Sequence, residues 1–322
     1  MKREFGSGYP WGEGGCSLCP RRCGARRERG ERGACGATDE VLVARAALHF
    51  WEEPPLSGDR GSGAVFFSHC PLKCSFCQNS RISAGGWGRA TGVEDLAASM
   101  VGLQSQGAHN INLVTATHYA PMVRDAVRTA RANGLGIPVV YNTSGYELTQ
   151  AIDLLSDVVD VWLPDFKYAD ARLAALLSKA PDYPSVALEA IERMICHVEA
   201  AGGRLCDEEG IMRRGVIVRH LVLPGQLENS FGALELLWER FGNRVDVSVM
   251  SQYTPPADMG WPDGLASMGR PVREDEYEAV LDRADELGFE TMWWQQGDAV
   301  GESFVPEFDG TGVVAAATAR QQ

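Results

Sequence analysis

The sequence predicts an α/β fold in which helices cover a parallel β-sheet, and three observations predict it. Short apolar, β-branched runs alternate with segments that carry helix start and stop signals along most of the chain. The 322 residues, 45% of them hydrophobic, are enough for the large core that such a sheet encloses in one domain. A cysteine-rich segment of different composition precedes this alternating part. We therefore expect one α/β domain with an N-terminal extension.

The extension is expected to span residues 1–60 and to carry a second metal site. Cys16, Cys19, Cys23 and Cys35 stand close together among Gly and Arg residues, as in a small metal knuckle. A bound metal would supply the stability that so small a segment cannot obtain from a core. An iron–sulfur cluster that passes electrons inward, a structural zinc and metal-free packing of the thiols all remain open. The arginines of this segment are expected to form a solvated face, or alternatively to dock an acidic electron donor: Arg21, Arg22, Arg26, Arg27 and Arg29.

Three further cysteines follow the first strand of the domain. Cys70, Cys74 and Cys77 are spaced C-x3-C-x2-C on a loop directly after the apolar run 64–67. This spacing lets the loop curl and aim three sulfurs at one point. Cys thiolates hold iron–sulfur clusters, and three ligands on a four-iron cluster leave one iron open for a chelating small molecule. A zinc loop or three unrelated buried thiols are the alternatives.

The remaining elements follow in a regular order. Glu94 and Asp95 stand in the first turn of one expected helix, where acids suit the helix dipole. Pro121 opens the next helix, and Asn133 with Gly134 closes it. The six core strands are expected to begin near residues 64, 110, 137, 158, 215 and 245, with weaker strands at 41–49 and 290–294. The helices are expected at 93–106, 121–133, 147–155, 171–178, 186–200, 228–241 and 273–287.

The composition excludes several classes of function. The net charge of −13 argues against nonspecific binding to nucleic acid. A run of about eighteen apolar residues is absent from the sequence, so we expect no membrane span. Lys2 and Arg3 are not followed by an apolar segment, so a secretory signal is not expected. We therefore interpret the nine cysteines as reduced thiols of a cytoplasmic protein.

The cysteine loop resembles the signature of the radical S-adenosylmethionine (SAM) superfamily. The resemblance lies in the spacing of Cys70, Cys74 and Cys77 and in the aromatic Phe76 before the last of them. It implies a partial (β/α)6 barrel at 61–300, followed by a C-terminal tail at 301–322. It also implies a [4Fe–4S] cluster whose open iron binds the amine and carboxylate of SAM. In this sequence His69 precedes the first cluster cysteine, where relatives often have Gly.

Polar residues at the carboxyl ends of the expected strands extend the resemblance to the pyruvate formate-lyase activating enzymes. Chemistry sits at these strand ends in parallel barrels. Asn142 stands where those enzymes usually have an acid, and the resemblance implies that Asp165, Lys167 and His220 surround SAM. Thr115 and Thr117 stand where a Gly-Gly-Glu segment usually receives the SAM amine, and their hydroxyls could accept an ammonium. An Asp165–Lys167 pair that only caps the barrel rim is the alternative.

Taken together, the motifs of nearly the whole chain are similar to PflX-type radical SAM proteins, which are related to these activating enzymes. The matching stretches are the C-x2-C-P-R-R-C motif and residues 77–79, 114–119, 141–146, 163–168, 219–225 and 250–253. We expect an enzyme that cleaves SAM reductively and abstracts a hydrogen atom, by analogy from a glycine of a glycyl radical enzyme. The implied partners are SAM and an electron donor such as flavodoxin or ferredoxin. The alternatives are a small-molecule substrate, another peptide residue, or a non-catalytic iron–sulfur or zinc protein.

Overall fold

The computed structural model describes residues 14–256, 259–295 and 305–314. Ten strands lie in this part of the chain: β1 (Leu42–His49), β2 (Ser62–Phe67), β3 (Arg89–Ala90), β4 (Ile111–Val114), β5 (Val139–Thr143), β6 (Val161–Pro164), β7 (Leu205–Cys206), β8 (Met212–Leu221), β9 (Asp246–Met250) and β10 (Met292–Trp294). Its α-helices are α1 (Pro54–Ser57), α2 (Ser80–Ser83), α3 (Val93–Ser105), α4 (Ala120–Ala132), α5 (Thr149–Leu155), α6 (Ala171–Ser178), α7 (Tyr183–Ala200), α8 (Leu227–Phe241) and α9 (Glu274–Leu287).

The strands form one open sheet in the order β10-β9-β8-β6-β5-β4-β2-β1-β3, with β7 paired to β8. Neighbours from β2 to β10 are parallel, whereas β1 runs antiparallel to both β2 and β3. Within the described residues the sheet does not close on itself, because β10 and β3 lie at its two ends. The predicted fold class, a partial barrel of the α/β type, is confirmed.

Helices cover the outer face of the sheet at the predicted positions. Five of the parallel strands are buried along their lengths, as expected where side chains pack on both faces of a sheet: β2, β4, β5, β6 and β9. Local signals set the helix ends: the Asp170 side chain accepts a hydrogen bond from the Arg172 amide at 2.7 Å, and Gly288 ends α9 with φ 93°. Of the described helices, none is long and apolar enough to cross a lipid bilayer.

The helix α1 fills the N-terminal end of the barrel. It follows β1, whose antiparallel direction carries the chain to the beginning of β2. Leu56 is fully buried in one apolar cluster with Val140, Leu163 and Ile217, which come from β5, β6 and β8. Residues 42–57 lie within the segment 1–60 of the expected extension, and they supply β1 and α1 to the barrel.

The described part of the expected C-terminal tail, residues 305–314, packs along β1. The Gly310 amide donates to the Ala44 carbonyl, and the Thr311 carbonyl accepts from the Ala46 amide at 2.9 Å. The Phe308 ring packs against Phe66 with 5.5 Å between ring centroids. This segment therefore covers the β1–β2 side of the open barrel.

Candidate active site

A cavity of about 280 Å³ opens at the carboxyl ends of the parallel strands, and we call it the barrel cavity. All three cysteines of the C-x3-C-x2-C loop line it. Four of the six residues expected to contact SAM also line it: Thr115, Asn142, Asp165 and Lys167. The neighbouring strands β4, β5 and β6 bring these four together, because parallel strands present their carboxyl ends at one edge.

The cysteine loop is tightly folded and its thiols are free. Cys70 is buried, and burial raises its thiol pKa to about 12. Burial also raises the pKa of Cys74, against the lowering effect of the Lys167 ammonium. Cys77 Sγ accepts a hydrogen bond from the Ser83 hydroxyl at 3.2 Å. Buried thiols without nearby cationic compensation release their protons readily only when a metal binds them.

Residues with positive φ lie in this loop and at the end of β4 beside the cavity. His69 has φ 74°, Lys73 has φ 52°, and Thr115 at the end of β4 has φ 61°. This left-handed region is uncommon for residues with a Cβ, and such residues gather at functional sites. The value at His69 also explains why Gly fits this position in similar sequences, since Gly adopts positive φ without cost.

The donor set fits a cluster better than a single ion. Among the described residues, no group of three or more His, Cys, Asp or Glu side chains is arranged to hold one metal ion. An iron–sulfur cluster takes each thiolate at a different iron, so its ligands need not converge on one point. Three free thiols that face one cavity therefore fit a cluster with one iron left without a protein ligand.

A chain of alternating charges runs down one wall of the barrel cavity. The Lys167 ammonium lies 2.6 Å from Asp165 Oδ2, and Arg219 Nε lies 2.9 Å from Asp165 Oδ1. The same guanidinium donates to Asn142 Oδ1 at 2.5 Å and contacts Glu52 Oε2 at 3.3 Å. The predicted Asp165–Lys167 pair is therefore present, as part of a larger network at the cavity wall.

Electrostatics keeps the Asp165–Lys167 pair of this network charged. Burial raises the pKa of Asp165, but Lys167 and Arg219 more than offset burial and hold it below its ordinary value. Burial lowers the pKa of Lys167, and the opposing effect of Asp165 leaves it above its ordinary value. Both side chains thus remain ionised at neutral pH, able to bind the opposite charges of a zwitterion.

Thr117 and His220, which were also expected to contact SAM, are not among the residues that line the cavity. The Thr117 hydroxyl donates to Glu147 Oε1 at 2.5 Å. His220 is fully buried, with Nδ1 at 2.7 Å from the Phe166 carbonyl and Nε2 at 2.9 Å from the Ser230 hydroxyl. Strand alternation explains the position of His220. Adjacent side chains of β8 point to opposite faces, so Arg219 faces the cavity and His220 faces away from it.

Four acidic or basic residues that are prominent in the structure were not predicted from the sequence to belong to the site. Arg219 was noted only as part of a motif, because strand alternation shows that it and His220 face opposite sides of β8 but not which of them faces the cavity. Glu52 and Glu53 line the cavity, but in the sequence they look like a polar turn before two prolines. Glu147 is buried, and burial raises its pKa to about 7 against the hydrogen bonds of its neighbours.

The N-terminal cysteines lie together behind the cysteine loop. Cys16, Cys19 and Cys35 are buried, and a Cβ at Gly33 would lie 3.3 Å from the sulfurs of both Cys35 and Cys23. Burial raises the pKa of Cys19 to about 12. Burial also raises the pKa of Cys23, but backbone amides outweigh burial and leave that pKa lowered. The four thiols are thus grouped, although they form no single-ion site in the described chain.

Two arginines of this segment are structural, so the arginine run is not simply a solvated face. Arg21 donates to the Pro71 and Leu72 carbonyls of the cysteine loop and to the Ser178 carbonyl at the end of α6. Arg27 is fully buried and donates to the His118 carbonyl at 2.6 Å. Each arginine satisfies backbone carbonyls far away in sequence, so the segment is fixed against the barrel.

Comparisons with known proteins connect the chain to one superfamily. Residues 64–237, more than half of the chain, match the family model of the radical SAM superfamily. The uncharacterized protein MJ0674 of Methanocaldococcus jannaschii is 28% identical over 288 residues, which cover 86% of this chain and 76% of that protein.

Two solved structures are similar at low identity. SuiB of Streptococcus suis, bound to S-adenosylmethionine, is 12% identical, with 80% of this chain and 52% of SuiB covered and a TM-score of 0.48. A domain of the pyruvate-formate lyase-activating enzyme from Bacteroides vulgatus is also 12% identical, with 55% of this chain and 92% of that domain covered and a TM-score of 0.39. The matched region thus spans about half the length of SuiB.

Proposed function

The chain belongs to the radical SAM superfamily, and from that premise we propose that Cys70, Cys74 and Cys77 hold a [4Fe–4S] cluster with one iron open to SAM. A cluster held there would, once reduced, supply the single electron that splits SAM into methionine and a 5′-deoxyadenosyl radical, and that radical would take a hydrogen atom from the substrate to give 5′-deoxyadenosine. The observation that carries the proposal is the lining of one cavity by three free thiols and an ionised Asp–Lys pair.

The charged wall gives SAM its orientation in this proposal. Lys167 binds the carboxylate of the methionine moiety, and Asp165 binds a cationic group beside it, because each attracts the opposite charge in a partly buried site. Asn142 and Thr115 line the same part of the cavity and offer hydrogen bonds to the ligand. We assign these four residues to cofactor binding.

Thr117 and His220 act as positioning residues in the same proposal. His220 Nδ1 donates to the Phe166 carbonyl, so it fixes the segment that carries Asp165 and Lys167. Thr117 holds the buried carboxyl of Glu147 next to β5. Both residues would affect SAM binding only through the residues that they contact.

The substrate class is proposed by analogy. The motifs at the strand ends are similar to those of activating enzymes, so the favoured target is a glycine in a glycyl radical enzyme. A small molecule or another peptide residue is the second candidate, because the open side of the barrel does not define the size of the substrate. We propose a flavodoxin or ferredoxin as the electron donor and the cytoplasm as the location, where thiols stay reduced.

Anaerobic reconstitution tests the central chemistry. The protein is loaded with iron and sulfide, then incubated with SAM and dithionite, and 5′-deoxyadenosine is quantified by chromatography. We expect a four-iron absorbance and SAM-dependent formation of 5′-deoxyadenosine. Iron–sulfur absorbance without any cleavage of SAM would favour a non-catalytic electron carrier, and failure to bind iron would favour a zinc module.

A matched pair of variants assigns the cluster. Cys74→Ala should abolish the four-iron absorbance and SAM cleavage while its far-ultraviolet circular dichroism stays unchanged. The control is Cys196→Ala, which removes an exposed free thiol on α7 and should leave both readouts intact. Full cluster loading in Cys74→Ala would contradict the assignment.

We also propose that Cys16, Cys19, Cys23 and Cys35 bind a second metal, as an iron–sulfur cluster or a zinc ion. The grouping of the four thiols supports it, and both metals stay candidates: a cluster fits thiols that do not converge on one point, whereas a zinc ion would require the thiols to move together. A variant with alanine at all three cysteines of the barrel cavity should still retain metal by mass spectrometry. Adding Cys19→Ala should then remove that metal. Unchanged metal content and activity in Cys19→Ala alone would show that the site is dispensable.

A further inference from the structure

We propose that the floor of the barrel cavity binds an organic cation of the substrate, an ammonium or guanidinium group, with Glu53 as the receiving carboxylate. This inference rests on the proposed function, because it assigns a substrate class to the cavity in which SAM would be cleaved. It does not follow from the cysteine motif. It follows from the position, charge and burial of residues that precede α1.

Glu52 and Glu53 reach the cavity from the end opposite the cysteine loop. They follow β1, which ends beside the first residue of β2, whereas the cysteine loop follows the last residue of β2. Both carboxylates nevertheless line the same cavity as Cys70. Lys167 is the cation that acts on the Cys74 thiol, whereas Arg219 is the cation that acts on Glu52 and Glu53. The cavity thus has a thiol end and an acidic end.

The charges around the cavity do not balance. Three carboxylates line it, Glu52, Glu53 and Asp165, against two permanent cations, Lys167 and Arg219. The remaining titratable base in the lining is His49. Burial, followed by Arg45 and Arg219, lowers its pKa to about 4, so it is neutral at pH 7. When all three carboxyls are ionised, one negative charge is left for a ligand, and a bound cation would favour that state.

Among the described residues Glu53 forms no direct ion pair, and Arg219 acts on it only at longer range. Arg219 contacts Asp165 and Glu52 directly, and Asn112 donates to the second oxygen of Glu52 at 2.9 Å. Glu53 Oε2 has no hydrogen-bond partner in the described chain, although only 8% of the residue is exposed. Burial raises the pKa of Glu53, so its carboxyl tends to keep a proton that an incoming cation would replace.

The walls above Glu53 favour an organic cation over a bare metal ion. Trp51, Trp293 and Trp294 line the cavity together with the carboxylates. Aromatic faces attract alkylammonium and guanidinium groups and add apolar contact for the attached carbon chain. The described residues also include no group arranged for a single metal ion. A substrate with an amine or guanidine on an apolar stem matches both features.

Calorimetric titration of the reconstituted, SAM-bound protein tests this proposal. The probe is n-butylguanidinium, and the comparison ligands are n-butyramide, butyrate and potassium ion at equal ionic strength. We expect binding of the guanidinium only. Glu53→Gln keeps the size of the side chain and should weaken that binding at least tenfold. Glu208→Gln removes an exposed carboxylate that does not line the cavity and should leave the affinity unchanged.

Measurements of SAM affinity and SAM cleavage distinguish a substrate-binding role of Glu53 from a SAM-binding role. SAM affinity and SAM cleavage are measured in the same variants, and the SAM affinity of Glu53→Gln should fall much less than its guanidinium affinity does. An equal loss of SAM affinity would mean that the extra negative charge serves SAM, which overturns the proposal. SAM cleavage without guanidinium binding in the wild-type protein would overturn this inference and leave the proposed function intact. Equal binding of potassium or butyramide would also overturn it, whereas the absence of SAM cleavage would count against the proposed function instead.

Discussion

Arg219 joins the charged residues of the barrel cavity into one network. Its guanidinium contacts Asp165, Glu52 and Asn142, and its side chain is only 14% exposed. A guanidinium has donors in a fixed planar arrangement, which suits three acceptors at once. Removal of this side chain would leave two buried carboxylates without their common partner.

We therefore predict that Arg219→Ala lowers the free energy of unfolding by about 3–5 kcal/mol, the usual cost of breaking a buried ion pair from one side. The control is Arg128→Ala, which breaks an exposed pair with Asp157 and should cost less than about 1 kcal/mol. Urea unfolding followed by circular dichroism measures both. Equal losses in the two variants would show that the network does not stabilise the fold.

Glu147 gives the fold a dependence on pH. Its carboxyl accepts hydrogen bonds from Thr117, Thr143 and Tyr141, yet burial is the larger effect and raises its pKa from 4.5 to about 7. The native state then holds this proton more tightly than the unfolded chain does. The stability that the proton contributes is complete below about pH 4.5 and is lost as the pH rises to about 7.

Glu147→Gln should remove this dependence. Relative to the wild-type protein, we expect the free energy of unfolding of the variant to increase by about 2–3 kcal/mol between pH 5 and pH 8. The measurement is urea unfolding of metal-free protein at several pH values, with Glu208→Gln as the control that stays parallel to wild type. A constant difference between Glu147→Gln and wild type across this range would mean that Glu147 titrates normally.

At the scale of elements, the N-terminal segment supports the cysteine loop. Arg21 donates to two carbonyls between Cys70 and Cys74, and its guanidinium lies 5.2 Å from the centroid of the Tyr146 ring. The cysteine loop contains residues with positive φ, so an outside contact that holds its backbone is physically useful. The two cysteine-rich parts of the chain are thus mechanically coupled.

Arg21→Ala should loosen the loop without unfolding the barrel. Hydrogen bonds from a charged donor contribute about 1.5–3 kcal/mol, so amide exchange in residues 70–77 should accelerate by about tenfold or more. Hydrogen–deuterium exchange with mass spectrometry measures this, with Arg29→Ala as the exposed control. Unchanged exchange in the loop would show that Arg21 does not hold it.

Individual helices could be predicted because the residues that mark a helix end lie within a few positions of it. Pro121 at the start of α4 and the acids in the first turn of α3 mark helix ends within a few residues, and the structure confirms both helices. The order of strands followed from their alternation with helices. The side of β8 that faces the cavity was not read from the sequence, since Arg219 and His220 are adjacent and equally polar.

At the scale of the whole molecule, the contacts that the sequence did not reveal are the distant ones. Arg21 reaches Lys179, 158 residues along the chain, and Arg219 reaches Glu52 at a separation of 167 residues. No periodic pattern connects such positions, so only the folded barrel brings them together. The cluster motif could be recognised in the sequence because its three cysteines lie on one loop, whereas the residues of the acidic end of the cavity come from separate elements.

The whole barrel places one proposed open iron beside a charged wall and above an acidic floor. The most direct test of this account is electron–nuclear double resonance on the reduced, reconstituted protein with SAM labelled with ¹⁷O in its carboxylate and ¹⁵N in its amine. We predict hyperfine coupling of the cluster to both nuclei. A reduced four-iron cluster that shows coupling to neither label, with SAM demonstrably bound, would contradict the account.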